Sequence, residues 1–172
     1  MKNLKELLFN KDFNKKQKSG SVLELKGTLA ARVIHKDGKV EDLGIIADKK
    51  VTDAFVAYLV DSLQDSSTYP MDAFKYHDSG TGTNAENKTD TALQTPCGES
   101  RTVGTQIEGA SAWIFKTVVT HTYAGPFAIT EHGVFSAATA ATLMDRSVFA
   151  AINVVATDKI EFTYQLTCQS EA

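Results

Sequence analysis

Between Lys159 and Cys168 apolar and polar residues change places at every step: Ile160, Phe162, Tyr164, Leu166 and Cys168 alternate with Lys159, Glu161, Thr163, Gln165 and Thr167. Successive side chains of an extended chain point to opposite sides, so this run demands a strand with one buried and one wetted face. Such a strand needs neighbours to pair with and a second layer to cover it. The rest of the chain offers both.

Val22–Lys26 and Leu29–His35 read as strands, and Lys36-Asp37-Gly38-Lys39 as a tight turn, because Asp-Gly readily takes the positive φ that a hairpin requires. Val40–Ile46 then returns as the partner. Trp113–Tyr123 is dense in β-branched and aromatic residues. Gly125-Pro126 breaks it, Phe127–Phe135 resumes, Ser147–Val155 is a further apolar strand or strand pair, and Thr157-Asp158 turns the chain into the alternating run. Thr52–Leu63 predicts the one helix, with Thr52 as its cap and Phe55, Tyr58, Leu59, Ser62 and Leu63 as its apolar stripe. The pattern predicts a mainly β fold: an antiparallel β-sandwich, jelly-roll or Ig-like, with one short α-helix and an N-terminal arm.

Composition narrows the function classes. The 172 residues are 42% apolar and 23% charged, with a net charge of -3. That is enough apolar material for one core and too little basic charge for a strong nucleic-acid binder. No run approaches the roughly 18 apolar residues of a membrane span, and charges flank the short apolar run Leu7-Leu8-Phe9, which argues against a signal peptide. Two cysteines cannot build a disulfide framework. The charge is unevenly placed: six lysines against Glu6 and Asp12 make residues 1–18 carry +4, leaving -7 for the remainder. Residues 1–20 are therefore read as a basic arm and 21–172 as the sandwich domain, interrupted by a long polar loop over 66–108. A structureless loop of that length is unusual, so it is either a functional surface or a set of short strands.

Catalytic signatures are missing. Gly80-Thr81-Gly82 lacks the Gly-Lys-Ser/Thr ending of a phosphate loop and the third glycine of a dinucleotide site. His77-Asp78 and Glu131-His132 could chelate a metal only if folding joined them, and neighbours on a strand face opposite ways. Cys97 has no signature that sets a base against it, and no serine lies in a nucleophile elbow. No enzyme activity, cofactor or metal is expected. Arg146, between small residues and an apolar strand, suits a bidentate carboxylate contact that anchors a loop within the subunit or across an interface.

Taken together, Val51-Thr52-Asp53-Ala54, Gly80-Thr81-Gly82-Thr83, Thr89-Asp90-Thr91-Ala92-Leu93, Arg101, Thr130–Phe135, Arg146-Ser147-Val148-Phe149 and Phe162–Thr167 resemble, in that order, a group of tailed-bacteriophage virion structural proteins. The chain departs from their pattern at Phe55, where glycine is usual after the alanine, and in its lysine-rich arm. The resemblance implies a particle component without enzymatic activity, and the arm favours the capsid decoration (cement) type. On that reading the protein is a homo-oligomer, a trimer, sited on the capsid surface of a virion assembled in the host cytoplasm. Its partner is the major capsid protein, with no direct contact to nucleic acid or membrane. The capsid-contact candidates are Leu4, Lys5, Leu7, Leu8, Phe9, Lys11, Phe13, Lys15 and Lys16, and the interface candidates Trp113 and Arg146. A tail or fibre component, or a host-surface or carbohydrate-binding module using the polar loop and Trp113, are the alternatives.

Overall fold

A computed structural model describes residues 22–98 and 100–170. The capsid-contact candidates of the arm lie outside the described residues.

Among the described residues, nine strands and one α-helix follow in chain order: β1 Leu23–Ile34, β2 Val40–Lys50, α1 Asp53–Gln64, β3 Tyr76–Gly80, β4 Thr102–Val103, β5 Thr105–Glu108, β6 Ile114–Thr122, β7 Phe127–Phe135, β8 Leu143–Val154 and β9 Lys159–Ser170. They form two antiparallel sheets, β2-β1-β9-β6-β5 and β4-β3-β7-β8. The expected antiparallel sandwich is what the described residues form, with one α-helix among them.

The alternating run is the central strand β9, paired with β1 on one side and β6 on the other. Its Ile160, Phe162, Tyr164 and Leu166 are buried against Ile129, Val134, Met144, Phe149 and Ile152 of the opposite sheet. The outward residues make surface ion pairs such as Arg32–Glu161 at 2.8 Å. The two expected N-terminal strands are one continuous β1. Gly27 allows this, because a Cβ there would stand 2.8 Å from Tyr164 Oη and 2.9 Å from Asp145 Oδ2. Gly38 holds the hairpin turn at φ 84°, as the Asp-Gly pair predicts.

Thr52 caps α1, accepting from Phe55 N at 3.1 Å, and its hydroxyl also donates to Leu143 O, which ties the helix to β8. Phe55 and Tyr58 are buried and pack edge-on to Phe74. Leu63, expected in the same stripe, is 83% exposed. Eight positions at 100° each carry it about 80° past Phe55, out of the buried arc.

The segment 66–108 is not one loop. A 3-10 turn at Met71–Ala73 and strands β3, β4 and β5 are cut from it, which leaves the irregular stretch between β3 and β4. That stretch folds back over the outer face of β7 and β8, where Leu93 packs with Phe135 and Leu143 in a small second core. Strand β7 is consequently buried on both faces from Ile129 to Phe135.

Candidate functional site

The outer face of the β7–β8 hairpin carries Glu131 and Arg146. Strand β8 runs antiparallel to β7 with Gly133 opposite Arg146, so these two side chains emerge on one face, diagonal to each other. Arg146 Nε donates to Glu131 Oε2 at 2.7 Å, and neither residue is more than 4% exposed. A buried ion pair is stable only when its remaining hydrogen-bonding capacity is filled. The covering segment fills it. Glu131 also accepts from the backbone amides of Gly82 (3.1 Å), Gln94 (3.0 Å) and Thr95 (2.7 Å). Arg146 donates Nη1 to Asp90 Oδ2 at 3.0 Å and Nη2 to Asn84 O at 3.2 Å. Burial alone would raise the Glu131 carboxyl, but the amides of Gln94 and Thr95 and the Arg146 guanidinium hold it below the usual carboxylate range.

This node explains the Gly80-x-Gly82 motif without a phosphate. A Cβ on Gly80 would strike Thr95 O and lie 2.6 Å from Glu131 Oε1, and one on Gly82 would lie 2.6 Å from the same oxygen. Both glycines therefore let backbone approach a carboxylate. Thr130 adds a bond from its hydroxyl to Gly82 O at 2.8 Å. Arg101 holds the far end of the segment: its guanidinium lies 3.7 Å from the centroid of the Phe135 ring and donates to Ala137 O at 3.0 Å. Pieces separated by up to about sixty residues in sequence are thus parts of one structural pin.

Above the pin lies an open cleft of about 350 Å³, lined by Asn84, Thr89, Asp90, Thr91, Gln94 and Arg146 among others. Its floor is the Arg146 guanidinium, already committed to three acceptors.

The second polar group sits between the sheets. His77 Nδ1 and His132 Nε2 are 3.0 Å apart, and His77 Nε2 is 2.9 Å from Thr117 Oγ1. His121 Nδ1 lies 3.3 Å from Thr102 Oγ1. His132 Nδ1 and His121 Nε2 have no hydrogen-bond partner among the described residues. A proton on His132 Nε2 and another on His77 Nε2 give a continuous relay into Thr117 and leave His132 Nδ1 as an unpaired acceptor rather than an unpaired donor. Burial pushes the imidazoles down, His77 to about 3 and His121 to about 4, with the neighbouring rings adding to the fall at His77 and His132. Three neutral imidazoles are poor acid–base catalysts at neutral pH. Among the described residues no group of three His, Cys, Asp or Glu has a metal-holding arrangement.

Folding joins His77 to His132 but sends Asp78 and Glu131 elsewhere, as strand alternation requires. Arg146 is used inside the chain, where it reaches two carboxylates, Glu131 through Nε and Asp90 through Nη1, instead of gripping one of them bidentately. Trp113 is 58% exposed at the tip of the β5–β6 hairpin and is the one interface candidate the structure leaves on the surface. The histidine relay was out of reach of sequence reasoning, since its members come from three strands. The only signal was the placement of His77, His121 and His132 within β-prone runs.

No family model matches this chain, and no curated protein or solved structure matches it either. No helix among the described residues is long and apolar enough to cross a membrane.

Proposed function

We propose that the chain is a non-enzymatic virion structural protein, a capsid decoration protein that stabilises an assembled bacteriophage shell as a homotrimer. The observation that carries this reading is the pin. Three charged residues of the resembling motifs, Glu131, Arg146 and Asp90, use their hydrogen bonds to hold a polar segment against the sandwich. A site built for contact fixes a surface, and here the fixed surface is the segment running from Gly82 to Arg101. The basic arm and the major capsid protein beneath it complete the proposal: many identical shell sites reward a weak arm contact by multivalency.

The test is immunogold electron microscopy of purified phage particles, using antibody against this chain. Label over the head supports decoration. Label confined to the tail replaces it with the tail or fibre reading, and particles without label overturn both.

The exposed Trp113 and the polar cleft favour one second reading, a carbohydrate- or host-surface-binding module, since an indole face can stack on a sugar ring. A glycan array without hits removes it.

A further inference from the structure

Helix α1 has two apolar faces, and only one of them is buried. Val56, Val60 and Leu63 lie on the outer side and are 43%, 51% and 83% exposed. At 100° per residue they fall within an arc of about 60°, which makes a continuous stripe. Three aliphatic side chains aligned on solvent are a seat for something apolar.

We propose that the occupant is the chain's own N-terminal segment, with Leu4, Leu7 and Leu8 laid along this stripe. Three observations select it. The first is position. Strand β2 runs antiparallel to β1 with Lys50 opposite Lys26, so the chain enters α1 level with the first residues of β1, where the N-terminal segment joins the body. The second is reach. Twelve residues separate Phe9 from Val22, and at about 3.3 Å per residue they span about 40 Å, against about 18 Å for the whole helix. The third is charge. Helix α1 contains no basic residue and its last turn is without a cation; Asp53 at its start pairs with Lys88 at 3.4 Å, which leaves Asp61 as its second carboxylate. Asp65 follows, its carboxyl held down at about 2 by the hydroxyls of Ser67 and Thr68 and so ionised. Residues 1–18 carry +4, and lysines beside a helix C-terminus are favoured by its dipole.

This inference concerns the free chain and stands apart from the capsid reading. If both hold, the stripe and the shell compete for the same leucines.

Full-length protein with isotopically labelled methyl groups provides the test. The expected result is cross-relaxation between the methyls of Leu4, Leu7 or Leu8 and those of Val56, Val60 or Leu63, and its loss in the full-length L7K/L8K variant. Val60→Lys, on an exposed position, removes the same cross-peaks from the other side. Absence of the cross-peaks in the parent protein overturns the proposal. So does their appearance only between differently labelled chains in a mixed sample, which assigns the seat to a second copy.

Discussion

Glu131 and Arg146 meet at 2.7 Å under a polar segment that sends three backbone amides to the carboxylate and one carbonyl and one carboxylate to the guanidinium. This contact anchors an irregular stretch that Thr130, Leu93 and Arg101 hold at other points. Its backbone groups would otherwise have to be satisfied by water, and the segment would not pack on β7 and β8.

Arg146→Met leaves the Glu131 carboxylate buried with its cationic partner removed. The expected loss is about 3–5 kcal/mol in urea unfolding. Asp90→Asn, whose side chain is 24% exposed, changes stability by no more than about 1 kcal/mol. Equal effects from the two variants would mean that the pin does not depend on the buried pair.

Gly82→Ala places a methyl 2.6 Å from Glu131 Oε1, and the segment must lift to relieve it. A loss of about 1–3 kcal/mol follows from overpacking of this kind. Gly125 has open space around its Cα, so Gly125→Ala stays within about 0.5 kcal/mol. Thermal unfolding of the two variants side by side measures the contrast.

Thr52→Ala removes two bonds with one hydroxyl, the cap to Phe55 N and the tie to Leu143 O. Caps alone are worth about 1 kcal/mol, and the buried Leu143 carbonyl left without its donor adds about 1–3 kcal/mol. Thr52→Ser retains the hydroxyl and restores most of the loss. Amide exchange in the first turn of α1 reports the cap separately from global stability.

Much of this architecture is legible in the sequence, because it rests on local rules. Alternation marks β9, Asp37-Gly38 marks the first hairpin, and Thr52 marks the helix start. What sequence misses is set by neighbours distant along the chain. Gly27 reads as a break between two strands, yet it lies inside β1, since Tyr164 needs the space. Leu63 reads as core because its spacing fits, but the core reaches only as far round the helix as Phe74 and β8. The segment 66–108 reads as a functional surface or a set of short strands, and three strands are cut from it; the fold of the stretch between β3 and β4 is not legible because it is held by Glu131 and Arg146, which lie outside it. The anchoring role of Arg146 was legible from its setting, and its partners were not.

The histidine relay gives the fold an acid limit, and its direction follows from proton linkage. Burial holds His77 at about 3, His121 at about 4 and His132 well below 6.5 in the folded chain, against 6.5 when exposed. Below pH 6.5 the unfolded chain therefore binds protons that the folded chain refuses, so stability is full above that pH and falls beneath it. Three such groups predict a loss of about 4 kcal/mol between pH 7 and pH 5.5, each contributing about 1.4 kcal/mol per pH unit. Glu131 adds to the loss only at lower pH, as protons begin to displace Arg146 from its depressed carboxyl. Urea midpoints taken at both pH values measure the effect. His121→Phe should cut it by about a third, because one of three linked protons is gone. Stability that stays flat from pH 7 to pH 5.5 would mean that the imidazoles between the sheets accept protons without unfolding, and the relay would then have to open to water.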